Sequence, residues 1–114
     1  MKYMLQVRFN GADAEIAKLP AAEQEKVTAE FEAVRRSPGV LDGNQLQAAD
    51  TAATVRVSDG QVLVTEGPAA PAGTELNGYY VYDTADLSAA VEFAARIPVA
   101  RMGATVEIRA LVER

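Results

Sequence analysis

The sequence predicts an α+β fold: an antiparallel sheet with two helices on one face, laid down as β-α-β-(hairpin)-β-α-β. Three observations predict it. Residues 3–9 and 105–112 alternate apolar and polar side chains, the period of a half-buried strand. From Gly78 to Arg109 a strand, an amphipathic helix and a second strand follow one another with almost no spare residues. Ser58-Asp59-Gly60 lies between two β-branched runs, a strong hairpin signal. The 114 residues suffice for one domain, expected over 1–114, and are too few for two.

Each element has its own justification. Tyr3, Leu5, Val7 and Phe9 alternate with Met4, Gln6 and Arg8, and Asn10-Gly11 ends that strand. Asp13 to Lys18 fits a helical turn before Pro20, which suits the first position of a longer helix. In that helix Val27, Phe31 and Val34 form one buried stripe, and Ser37-Pro38-Gly39 stops it. Val40 to Leu46 reads as a short strand. Residues 52–57 and 61–65 flank the Asp-Gly turn, and 66–75, rich in Gly and Pro, is irregular. Gly78 to Tyr82 is the next strand. Asp83 or Thr84 is expected to cap the second helix, with Asp86 in its first turn. Leu87, Ala90, Val91 and Ala94 form its buried stripe, widened by Phe93 and Ile97, and Pro98 ends it. Thr105 to Val112 closes the sheet.

Composition narrows the chemistry. Apolar residues make up 49% and charged residues 24%, as in ordinary globular proteins. With no cysteine there is no thiol nucleophile and no thiolate metal site, and a cytoplasmic location is expected. With no histidine, acid–base work falls to Asp, Glu, Tyr or Lys. A net charge of −5 with scattered basic residues argues against nucleic acid. No apolar run suits a membrane span or a secretory leader. No Asp/Glu cluster has metal-loop spacing and no glycine-rich phosphate cradle is present, so neither metal nor cofactor is expected.

Met1-Lys2-Tyr3-Met4-Leu5, Gly39-Val40-Leu41 with Asn44-Gln45-Leu46, the hairpin around Asp59-Gly60, and above all Gly78-Tyr79-Tyr80, Glu92-Phe93-Ala94, Ile97-Pro98 and Gly103 before Val106-Glu107-Ile108-Arg109 carry a resemblance. Nearly the whole chain resembles the YCII-related, DGPF-type family of the dimeric α+β barrel group. The resemblance implies a ferredoxin-like fold, a homodimer formed through the sheet face, and a pocket near the Glu66-Gly67-Pro68 loop. Members are often encoded beside alternative sigma factors, so the resemblance also implies an association with sigma-factor regulation. The chain departs from the family where Asp-Gly-Pro-Phe is replaced by Glu66-Gly67-Pro68-Ala69, and where Phe93 stands in place of a usual Trp. The histidine–aspartate chemistry of enzymes in the wider group cannot be carried over to a chain without histidine.

The closing strand has two unlike faces. Val106, Ile108, Ala110 and Val112 should lie under the helices, and Thr105, Glu107, Arg109 and Leu111 on the other side. If the first strand is its neighbour, Gln6 and Arg8 join Glu107 and Arg109. Enclosed charges must be paired or must serve a ligand. Two readings are open: a pocket for a small anionic molecule, with Arg8 or Arg109 as carboxylate clamps and Glu107 as a base, or mutual neutralisation at a wet dimer interface. Tyr79, Tyr80 and Tyr82 occupy both faces of one strand, so at least one faces away from the helices. Tyr80 and Tyr82 are candidate ligand contacts, the other reading being interface packing. Glu66 is a candidate acid or a solvated turn residue. The functional reading is a non-catalytic or weakly catalytic dimeric small-molecule-binding accessory protein. The alternatives are a lyase or isomerase using Glu66 or Glu107 as base with arginine and tyrosine stabilisation, and a structural subunit of a larger complex.

Overall fold

The structure is a computed structural model and describes residues 1–9 and 12–114. Its strands are β1 (Lys2–Arg8), β2 (Val40–Gln45), β3 (Ala53–Ser58), β4 (Gln61–Glu66), β5 (Leu76–Asp83) and β6 (Thr105–Ala110). Its helices are α1 (Ala12–Ala17), α2 (Ala21–Arg35) and α3 (Leu87–Ala95). Four strands form one antiparallel sheet in the order β2-β5-β1-β6, the ferredoxin-like arrangement, while β3 and β4 pair only with each other. The fold is therefore the expected α+β, with α1 at the helical turn expected over Asp13 to Lys18.

Alternation along the central strands decides what is buried. Tyr3, Leu5 and Val7 of β1 point into the core with Phe93, Ile97 and Val99, and Tyr80, Tyr82, Val106 and Ile108 pack against it. The register pairs Leu5 with Tyr80 and with Ile108, so one face of three strands is apolar and covered by the helices. Phe93 is the hub: its ring stacks on Tyr82 at 4.1 Å and meets Tyr80 edge-on at 5.8 Å. Glu30 and Arg101 form a two-pronged ion pair that ties α2 to the short 3₁₀ turn at Pro98–Met102.

Several local expectations are corrected. Pro20 caps α2 from outside, with extended backbone, and does not open the helix. Asp86, not Asp83 or Thr84, caps α3, its carboxylate accepting the Ala89 N–H at 2.9 Å. Leu87 and Val91 are about half exposed, because α3 turns Ala90, Phe93 and Ala94 inward. Phe9 lies beyond the end of β1, and Val112 lies past β6, exposed. The expected Asn10-Gly11 stop falls outside the described residues.

The β3–β4 ribbon is an excursion between β2 and β5, joined by residues 46–52 and 67–75. Asp59 and Gly60 both take positive φ (49° and 78°), as a two-residue hairpin turn requires. The ribbon gives the chain a radius of gyration of 16.0 Å, against about 13 Å for a compact domain of roughly 100 residues.

Candidate functional site

The sheet face away from the helices gathers polar residues from all four strands. Gln6 sits directly across from Glu107 and from Tyr79, Met4 across from Arg109 and Val81, and Arg8 across from Thr105. The structure thus brings Gln6, Arg8, Glu107 and Arg109 onto one face. Arg8 is committed there: it donates to the Thr74 carbonyl at 2.9 Å and to Gln6 Oε1 at 2.7 Å. Among the described residues no ion pair joins Arg8, Glu107 and Arg109, and both Glu107 and Arg109 are exposed.

Tyr80 and Tyr82 do not join that set. Alternation in β5 sends both toward the helices and leaves Tyr79 on the open face. The Tyr79 hydroxyl donates to Asp42 Oδ2 at 3.1 Å and accepts from Asn44 Nδ2 at 3.0 Å, and Asn44 also reaches Asp42 Oδ1. This Asp42–Asn44–Tyr79 network was not singled out from the sequence. Asp-Gly-Asn inside a short strand was its only local signal.

Glu66 is not on the sheet. It ends β4, exposed, opposite Ala53 of the ribbon. The neighbouring loop does meet Arg8: Pro68, Ala69, Arg8 and Glu75 share a shallow depression of about 540 Å³ at the foot of the ribbon. The resemblance implied a pocket beside this loop, and this depression lies there without Glu66 among its lining residues.

A deeper cleft of about 400 Å³ opens on the helix side, between α2 and the β2–β5 edge of the sheet. Val7, Ile16, Val27, Phe31, Ile97 and Val99 give it an apolar floor, and Tyr80, Arg35 and Glu32 line it too. Burial pushes the Tyr80 phenol above its ordinary value, with the Arg35 charge partly opposing the shift. Among the described residues no ion pair engages Arg35, whereas Glu32 is paired with Arg36. Gly43 makes room for this geometry: a Cβ there would stand 2.7 Å from Tyr80 Cδ1. The cleft can take an apolar body against Phe31 and Val27 and place a polar head near the Arg35 guanidinium and the Tyr80 hydroxyl.

No group of three or more acidic side chains among the described residues could hold a metal ion. No described helix is long and apolar enough to cross a membrane. The YCII-related domain model matches residues 1–113, and the chain belongs to that family. No curated protein matches the chain.

Proposed function

We propose that this YCII-related chain is a homodimeric, non-catalytic binding module of the cytoplasm that takes up a small amphipathic organic anion. One observation carries the reading: the cleft beside α2 joins an apolar floor to a partly buried phenol and to an arginine that no ion pair engages among the described residues. Its volume suits an aromatic or short aliphatic body, within the roughly 300–1,000 Å³ of small-molecule sites. Met4, Val81 and Tyr79 supply apolar and aromatic surface at the centre of the open sheet face, which supports pairing of two copies there. Arg109 and Gln6 then line that interface beside Arg8, whose guanidinium is held by the Thr74 carbonyl and Gln6 Oε1. Ligand occupancy signalled to a partner, such as an alternative sigma factor, is the accessory role that fits the family. A lyase or isomerase has less support, because Glu66 and Glu107 are exposed and neither lines the cleft.

The test is calorimetric titration with 2-naphthoate and its neutral counterpart 2-naphthamide. The reading expects one naphthoate site per chain, preferred over the amide, with Arg35→Met weakening naphthoate about tenfold, the scale of one charge-assisted hydrogen bond. Equal affinities for acid and amide, or an unchanged Arg35→Met, would overturn it.

A further inference from the structure

The β3–β4 ribbon is amphipathic with no cover. Its register pairs Val55 with Val64 and Val57 with Val62, so four valines share one face; Thr54, Thr65, Arg56, Leu63, Ser58 and Gln61 make up the other. All four valines are 59–69% exposed. A two-stranded ribbon is at best marginally stable in water, and both of its strands are open edges.

We infer that this valine face is covered by a second copy of the same chain, the ribbon acting as an arm of the dimer. The inference rests on the homodimer of the proposed function. Area supports it. At about 3.3 Å per residue and about 4.8 Å between strands, the arm offers a face of roughly 20 by 10 Å. That is about a quarter of the ~800 Å² per partner that a standard interface buries. The arm alone cannot hold a partner, so its occupant must grip a second surface, and the open sheet face offers one. The arm grows from the β2–β5 edge of that same sheet: Leu46 N–H bonds Asn77 O beyond the β2–β5 pairing, and Gly67 N–H bonds Ala52 O at the foot of the ribbon. A two-fold pair of identical chains presents both surfaces twice. Charge agrees, because the valine face carries no ionisable side chain until Glu66 at its base, so two copies meet there without like-charge contact.

Sedimentation equilibrium of the full chain, with a Val57→Lys/Val62→Lys variant, tests this. Both valines are solvent-exposed in the single chain, so the variant keeps its fold, checked by circular dichroism. The expected result is a wild-type dimer whose Kd rises ten- to a hundredfold in the variant. A wild type that stays monomeric across micromolar concentrations overturns the homodimer and the arm together. A dimer of unchanged Kd in the variant overturns the arm alone. Because the chain has no cysteine, Val57→Cys labelled with an environment-sensitive dye gives a second readout. Its emission should shift to the blue as the dimer forms, and an emission independent of concentration would count against the arm.

Discussion

Strand β1 buries Tyr3, Leu5 and Val7 to 4% exposure or less, whereas the β3–β4 ribbon leaves Val55, Val57, Val62 and Val64 at 59–69%. Both regions alternate apolar and polar side chains, and both pair in good antiparallel register. What differs is the layer above. β1 has a strand on each side and helices over its apolar face, while the ribbon has neither. Fully burying one valine is worth about 1.5–3 kcal/mol. In a single chain β1 collects that stabilisation and the ribbon does not. Alternation tells which side chains share a face, and only tertiary structure tells whether anything covers it.

The largest effect that could break this comparison is a core truncation. Phe93→Ala removes the ring on which Tyr80 and Tyr82 pack and should cost about 3–5 kcal/mol in urea unfolding. Val57→Ala, measured at a concentration where the chain is monomeric, should stay within about 0.5 kcal/mol of wild type. Comparable losses at the two sites would mean that the ribbon is already buried within one chain.

Two glycines sharpen it. Gly43→Ala forces a methyl against the Tyr80 ring and should cost about 1–3 kcal/mol through overpacking. It should also weaken naphthoate binding in the cleft. Gly60→Ala meets no atom within 4 Å and strains only the positive-φ backbone of the turn, so it should cost about 1–2 kcal/mol and leave the cleft unchanged.

Smaller effects follow from charge. Burial holds the Tyr80 phenol in its neutral form, so the folded chain keeps that proton to higher pH than the unfolded one. The associated stability is complete below the ordinary value of 10.0 and is lost as pH rises through the raised folded value. Absorbance titration near 295 nm should show one tyrosine ionising late, and Tyr80→Phe should remove that step. The smallest change concerns Glu30, whose carboxyl the Arg101 hydrogen bond holds below its ordinary value. That contribution is present above pH 4.5 and fades as pH falls through the depressed value. Arg101→Met should therefore match the pH trend of wild type at neutrality and show a flatter acid limb of the stability curve.

Much of the fold was legible because its signals are local. The alternation in residues 3–7, the Asp59-Gly60 turn and the apolar run of α3 each follow from spacing alone. The site was less legible because it depends on register and on the approach of distant elements. Alternation puts Tyr80 and Tyr82 on one face and Tyr79 on the other, but only the pairing of Leu5 with Tyr80 makes the first pair the core side. Leu87 and Val91 look buried by helical spacing; Phe93 instead sets the rotation of α3, since one large ring outweighs two aliphatic side chains in a nine-residue helix. The cleft is bounded by residues of α2, β2 and β5 that lie far apart in the chain, and a single glycine within a strand is a weak announcement of it.

Hydrogen exchange followed by mass spectrometry over a dilution series tests the central contrast most directly. At dilutions where the chain is monomeric, β1 and β5 should exchange only through global unfolding, and residues 53–66 should be almost unprotected, gaining protection as concentration rises. Protection of 53–66 equal to that of β1 in the monomer would contradict the account.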